Sequence, residues 1–303
     1  MSGASPKPRI DANPALQRYY GSLESRIGYR VFLGGTRHFG YYEPGTLWPF
    51  PIGAALRRME EYLYNSLGLK PGSLVLDAGC GAGFVAIYLA RKGLRVRGID
   101  IISRHVKWAR DNVKKAGLEH AISIDKMDYH HLETLTPETF DGVYTMETFV
   151  HARDPAQALR EFFRVLKPGG SITLHEYEHK RINDAPERVA RSFHVINKFA
   201  ALPTNELSEY GTLQTLLEEA GFVDVQVSNL SENVRPMMRL FYLCAIIPYI
   251  FITLFGLEKY FINAVAAVGV YRNTDFYSYV SISAKKPSQQ DSAATQEKSL
   301  LGS

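Results

Sequence analysis

Cysteine is scarce in this chain. Only Cys80 and Cys244 occur in 303 residues. That excludes a disulfide framework and suits a reducing compartment, so a cytoplasmic location is expected. No run of Lys or Arg forms a basic stripe. The net charge is +4, and cations are interleaved with acids, which argues against nucleic acid as a partner. There is no C-x-x-C pair and no H-E-x-x-H helix, so no metal is expected. The opening stretch, MSGASPKPRIDANP, lacks the apolar core of a secretory signal. No internal repeat is seen.

The chain does carry ordinary globular material. Hydrophobic residues make up 46% and charged residues 22%, enough for a large core. It has 18 Tyr and 16 Phe, which suits either a Tyr-rich core or a bulky apolar ligand. Residues 1–14 and 286–303 are polar or low in bulky apolar groups, and disorder is expected there. Between them, strands and helices alternate. Strands are expected near 73–79, 95–100, 122–128, 141–147, 171–178, 223–230 and 276–284. Helices are expected near 51–67, 84–93, 104–117, 155–170, 185–200 and 212–222. This order implies an α/β fold, with a mostly parallel sheet and helices on both faces.

The most specific feature is LVLDAGCGAGF, residues 74–84. Gly79, Gly81 and Gly83 form G-x-G-x-G between a strand and a helix. Glycines there permit a tight turn and close backbone approach to a ligand. Amide N–H groups at the helix start then face that ligand. Asp100 ends the next strand, where an acid accepts hydrogen bonds from ribose hydroxyls. Position 84 is Phe, so the third glycine stands one residue early for a dinucleotide loop. Asp77 would repel a pyrophosphate and attract an ammonium group. A nucleoside with a cationic amino-acid tail fits these demands, and S-adenosylmethionine has that shape.

At this point the sequence resembles the class I S-adenosylmethionine-dependent methyltransferases. VLDAGCGAG matches their first motif, GID at 98–100 their second, and RVLKPGG at 164–170 their lead-in to strand five. The resemblance implies a Rossmann-like seven-stranded sheet with the last strand antiparallel. It implies that Ile101 packs on adenine and that Asp128 faces the adenine amino group, with a solvated turn acid as the alternative. Cys80 and Met146 fall at further cofactor-lining positions. A single domain over 15–285 follows: lid 15–50, core 51–230, apolar helical insertion 231–275 and last strand 276–285.

MExxxHARDPAQALREFFRVLKPGGSITLHEYE, residues 146–178, resembles the sterol and small-lipid branch, which includes cyclopropane-synthase-like members. Glu147, His151, Glu176 and Tyr177 match its pattern. The branch's strand-five aromatic is usually Trp in sterol enzymes, where this chain has Tyr177. His105 stands where cyclopropane-synthase-like members place a cofactor-contacting Gln, though an exposed helix histidine is equally compatible. YYGSLESRIGYRVFLGGTRHFGYY resembles the lid of this branch, with Tyr20, His38, Tyr41 and Tyr42 as candidates. His130 and His131 read as a surface turn.

The implied function is methyl transfer to oxygen or carbon of a lipophilic small molecule, such as a sterol, terpenoid or polyketide. His151 is the candidate base for a hydroxyl acceptor. Glu147, Glu176 and the rings of the lid, His38 included, would stabilise a cation formed on an alkene. The alternative is a protein that binds the same cofactor and promotes a rearrangement or cyclisation without methyl transfer.

LFYLCAIIPYIFITLFGL, residues 240–257, has eighteen residues and no charge, long enough to span a bilayer. Strands on either side that pair in one sheet argue against a span, and Pro248 should break or kink a helix. Three readings stay open: a buried lid helix, peripheral contact with an internal membrane through 237–262, and a homodimer face.

Overall fold

The computed structural model describes residues 8–288. The expected disorder of 286–303 therefore falls largely outside the described residues. At the other end, Pro8 to Asn13 form an extended segment, and Asn13 caps helix α1 (Pro14–Gly21) by accepting from Leu16 N. Helix α2 (Leu23–Leu33) follows, then a loop, then α3 (Ile52–Leu67), which ends on Gly68 in the left-handed conformation.

The α/β core is β1 (Leu74–Ala78), α4 (Phe84–Arg91), β2 (Arg95–Asp100), α5 (Ser103–Ala116), β3 (Ile122–Lys126), β4 (Phe140–Met146), α6 (Pro155–Val165) and β5 (Leu166–His179). It continues through α7 (Glu187–Ala200), α8 (Thr212–Glu219), β6 (Val223–Asn229), α9 (Ser231–Leu254), α10 (Ile262–Tyr271) and β7 (Tyr277–Lys285). Helix α6 illustrates the local logic. The Asp154 carboxylate accepts from Gln157 N, and Pro155 occupies the first turn, where a missing N–H does no harm. Ala158, Leu159, Phe162 and Val165 then form its buried stripe. The helix stops at Val165 rather than running to residue 170, as expected from sequence. Leu166 already pairs with Phe140, and Pro168 pushes Lys167 out of the helical region.

The sheet order is β3-β2-β1-β4-β5-β7-β6. Strands β1 to β5 pair in parallel, and β7 lies antiparallel between β5 and β6. Strand order reverses between β1 and β4, so the ligand crevice is placed at the carboxyl ends there. One core packs α6 and α8 on one face, with Phe162, Leu217 and Ile282 fully buried. The other packs α3, α4 and α5 on the opposite face around Met59, Leu63 and Val75. A third cluster joins α1, α7, α9 and α10 through Tyr19, Ile196, Ile252 and Val265.

Two expectations about the apolar insertion need correction. Helix α9 continues without a break through Pro236 and Pro248. A proline removes one backbone donor, and at the exposed Pro248 the freed carbonyl has solvent available; Pro236 is buried in the second turn of the helix. Nor is α9 buried throughout, as a buried lid helix lining a lipophilic pocket would be: Phe241 and Ala245 line a cavity, but Ile247, Phe251 and Leu254 are 66%, 57% and 72% exposed. Strands β6 and β7 pair within one sheet, and α10 has only 10 residues, too few to recross a bilayer.

Phe162 has no exposed surface and packs against Phe149 and Tyr129. Phe162→Ala should lower unfolding free energy by about 3–5 kcal/mol in urea titration. A loss below about 1 kcal/mol would mean that this core is not formed as described.

Candidate active site

The loop after β1 is pinned before it meets any ligand. Gly79 N and Cys80 N both donate to Ile99 O at 2.9 Å. Gly79 has φ +102, and a Cβ there would lie 2.2 Å from Thr148 Oγ1. Only glycine fits. Gly83 does a different job: a Cβ on it would sit 3.1 Å from the Ala109 Cβ, so this glycine lets α4 approach α5.

A cavity of about 80 Å³ opens over this loop. Asp77, Gly79, Cys80, Gly81, Asp100 and Ile101 line it, and so do His105, Asp128 and Met146. Nine of the eleven residues expected at the cofactor thus share one cavity. Gly83 does not line it, for the packing reason given. Tyr42 does not either: it is 2% exposed, packed among Leu33, Ala55, Leu56 and Met237. Its hydroxyl donates to Pro49 O at 2.8 Å, and burial pushes its pKa up to about 12.

Electrostatics in this cavity favour a cation at one end. Asp77 is 3% exposed, and its Oδ2 has no hydrogen-bond partner among the described residues. Burial, opposed by the neighbouring Tyr144 hydroxyl and helped by the nearby Asp100 charge, raises its pKa to about 7. An ammonium placed there would satisfy the free oxygen and restore the carboxylate. Asp100 accepts from Gly81 N at 3.0 Å and His105 Nδ1 at 3.2 Å on one oxygen, and from Ile102 N at 2.7 Å on the other. A carboxylate offers about four lone-pair sites, so capacity for a ribose hydroxyl remains. His105 is 2% exposed, not an exposed helix histidine, and its Nε2 lacks a partner among the described residues. An orphaned buried acid, a turn that tolerates only glycine and an acid closing β2 together fit S-adenosylmethionine.

Asp128 is buried rather than a solvated turn acid. One oxygen accepts from His130 N at 3.0 Å and faces His130 Nδ1 at 2.6 Å; the other accepts from Asp11 N at 3.2 Å. Burial pushes its pKa up, but the His130 contacts outweigh that and leave it lowered. His130 and His131 are therefore not a surface turn. His130 lines the cavity, and His131, 7% exposed, lies 3.0 Å from Asp11. Asp11, Asp128 and His131 bring three ligand-type atoms within 4.8 Å of one another. Hydrogen bonds within the group already account for that closeness.

A second, larger cavity of about 480 Å³ lies alongside. Tyr19, Phe193, Ile196, Phe241 and Val270 give it apolar walls. Tyr20, Arg37, His38, Glu147 and His151 line both cavities and form their common wall. Three of the four residues expected to be catalytic thus stand at the junction.

The fourth, Glu176, lines neither cavity. It has no exposed surface, and its Oε1 accepts from Phe149 N at 2.7 Å and Thr148 N at 3.1 Å. Burial raises its pKa to about 8. It holds the turn that carries His151. His151 is fully partnered. Its Nδ1 lies 2.7 Å from Ala201 O, so that nitrogen carries the proton, and Nε2 accepts from Tyr20 OH at 2.9 Å. Burial lowers its pKa to about 4. Glu147 sits at φ +55 and accepts from Phe39 N at 2.7 Å, Tyr279 OH at 2.9 Å and Tyr177 OH. Burial pushes its pKa up. His38 contacts Phe39 O at 2.8 Å and Glu60 Oε1 at 3.3 Å.

Sequence reasoning missed Arg37 and Tyr279. The Arg37 guanidinium lies 4.7 Å from the Tyr20 ring centroid, within the same GTRHFG stretch as His38. Tyr279 comes from β7, 132 residues beyond the Glu147 that it contacts, and no local pattern marks it.

Fold and cavity together define a class I S-adenosylmethionine-binding enzyme. The family profile of the methyltransferase domain matches residues 76–174. The S-adenosyl-L-methionine-dependent Diels-Alderase iccD of Talaromyces variabilis is 45% identical over 280 residues, covering 91% of this chain and 96% of that one. Methyltransferase GfsG of Streptomyces halstedii is 33% identical over 210 residues, covering 68% and 73%. The crystal structure of the [4+2]-cyclase SpnF superposes with a TM-score of 0.68 at 21% identity, covering 93% of this chain and all of that one. The chain belongs to the class I S-adenosylmethionine-dependent methyltransferase family, in its sterol and small-lipid branch.

Asp77→Asn should weaken S-adenosylmethionine binding roughly 10–100-fold in calorimetry, as expected for losing a hydrogen bond to a charged group. For the native protein, a proton on Asp77 competes with the cofactor. Affinity should therefore fall about tenfold per unit as pH drops below 7. The empty fold shows the opposite trend: the raised pKa means that stability falls as pH rises from about 4 towards 7. Undiminished affinity in Asp77→Asn would remove this residue from the site.

Proposed function

We propose that this enzyme binds S-adenosylmethionine and closes a ring in a lipophilic, polyketide-like polyene by a [4+2] cycloaddition, without consuming the methyl group. The observation that carries this reading is the absence of an available base at the junction of the two cavities among the described residues. His151 and His38 each have both ring nitrogens engaged, and burial lowers the His151 pKa to about 4. A base that weak deprotonates a hydroxyl poorly. Three donors surround the Glu147 carboxylate, and Glu176 is buried behind the turn.

A [4+2] closure needs none of these groups to move a proton. A diene and an alkene exchange two π bonds for two σ bonds, and nothing leaves. The chain's own task is then to fold a flexible substrate into a reactive shape and to exclude water. The apolar walls of the larger cavity suit that task. Tyr20, Tyr177 and Tyr279 offer rings and hydroxyls along its inner side. When bound over the glycine turn, the cofactor would supply a positive charge to this site, a source of electrostatic stabilisation. Similarity to iccD over nearly the whole chain supports this reading.

The second reading is methyl transfer to carbon or oxygen of such a molecule. Similarity to GfsG and the shared wall between the two cavities favour it. In both readings the partner is a lipophilic small molecule and not nucleic acid. The scarcity of cysteine supports a cytoplasmic location, and the exposed face of α9 is available for peripheral contact with an internal membrane or for a second copy.

Incubation with S-adenosylmethionine and a linear polyene ketone bearing a remote alkene separates the readings. Cyclisation should give a product of unchanged mass and release no S-adenosylhomocysteine. One equivalent of S-adenosylhomocysteine per product would establish methyl transfer instead. With cofactor saturating, the rate should be flat between about pH 6 and 8, since His151 stays neutral throughout. A tenfold rise per unit would mark deprotonation of an acceptor.

A further inference from the structure

Large apolar side chains stand in solvent along one face of α9. Leu243, Ile247, Ile250 and Leu254 follow helical spacing and are 53%, 66%, 56% and 72% exposed. Soluble monomers rarely present a contiguous patch of this kind. The loop beside it extends the patch. Arg239 Nη1 donates to Leu47 O at 2.7 Å, and the adjoining Trp48 is 72% exposed.

This face and the larger cavity meet. Cys244 and Pro248 are exposed, yet both line that cavity. They stand one turn apart, next to Leu243 and Ile247. Part of the cavity's rim therefore opens within the apolar patch. Elsewhere the rim carries the Glu232–Arg235 ion pair and the exposed Asp275.

Charge selects the occupant of the face. Between residues 233 and 257 the only charged side chains are Arg235 and Arg239. Arg235 is already paired with Glu232 at 2.8 Å, which leaves Arg239 as the cation of that stretch without an acidic partner among the described residues, and a second copy of the stretch brings no acid to meet it. An anionic lipid surface supplies both an apolar interior and negative headgroups. Trp48 suits the boundary between the two.

We propose that the α9 face docks on an anionic bilayer, and that the lipophilic substrate enters the cavity from the leaflet through the opening at Cys244 and Pro248. This deepens the reading that the larger cavity holds the substrate. Docking and catalysis are separable, because Ile247 and Phe251 do not line that cavity.

The test uses the full chain and vesicles of phosphatidylcholine with about a quarter phosphatidylserine. The wild type should co-sediment. Ile247→Glu and Phe251→Glu should each lower the bound fraction about tenfold, with cofactor affinity unchanged. Cys244 provides a native reporter, since the other thiol, Cys80, is buried. Labelling of Cys244 by a water-soluble maleimide should slow at least about fivefold when vesicles are added, as a docked face is shielded. Equal vesicle binding by wild type and variants would overturn the docking. A lipid-free dimer that Ile247→Glu disperses would assign the face to a second copy and overturn it too. Vesicle binding with undiminished Cys244 labelling would overturn the entry route. Cyclisation of detergent-dispersed substrate by both variants at wild-type rate would show that docking and chemistry fail independently.

Discussion

The Glu147 carboxylate ties together three parts of the chain that are distant in sequence. Phe39 of the lid segment, Tyr177 of β5 and Tyr279 of β7 all donate to it. Its backbone adopts φ +55, a conformation that costs a non-glycine residue on the order of 1–2 kcal/mol. Neighbouring structure sustains that conformation. The carboxylate leaves β4 at the sheet's carboxyl edge, where the lid crosses between the two cavities. If this one group moved, the lid would lose an anchor on the sheet beside His38 and Arg37, which stand between the two cavities. Glu147 is thus a positioning group first.

The same burial that fixes these groups also mutes them. His151 is held neutral, Glu176 is driven towards its protonated form, and His175 is lowered to about 3 by burial. A region with so many titratable side chains would ordinarily suggest proton transfer. Here the shifts of these three groups run against charge, and both His175 ring nitrogens and Glu176 Oε2 have no hydrogen-bond partner among the described residues. Asp77 differs, because its unpartnered oxygen belongs to a residue that lines the cofactor cavity, whereas Glu176 and His175 line neither cavity. Under the cyclisation proposed above, the charge that matters would come from the cofactor, with the protein as a rigid, water-poor frame around it.

Much of this arrangement could be read from the sequence, and the misses share a cause. The glycine turn, Asp77 and Asp100 were legible because strand, loop and helix are local events, and strand ends define one edge of the sheet. Glu176 and Tyr177 are neighbours on β5, and adjacent strand residues point to opposite faces. Both matched a family pattern, but only Tyr177 reaches the cavity. Tyr41 and Tyr42 divide similarly: Tyr42 turns into the packing between α3 and α9, while Tyr41 stacks on Tyr62 with ring centroids 5.5 Å apart. Register and facing depend on tertiary contacts that a single sequence does not reveal. His130 and His131 failed for the same reason, since the Asp11 segment that covers them lies 117 residues from Asp128.

Helix α9 shows how a function can depend on two opposed faces of one element. A helix that is apolar all round is normally buried on every side. This one is not: its inner face closes a cavity for an apolar molecule, and its outer face meets the surroundings. Each face needs apolar side chains for its own reason, so the sequence shows eighteen residues without a charge. Topology keeps the helix from crossing a bilayer, because β6 and β7 pair in one sheet on either side of the insertion. The same pairing holds the helix flat against the cavity that it walls. A lipophilic substrate then need not cross bulk water to reach the cofactor, provided that the outer face rests where such molecules dissolve.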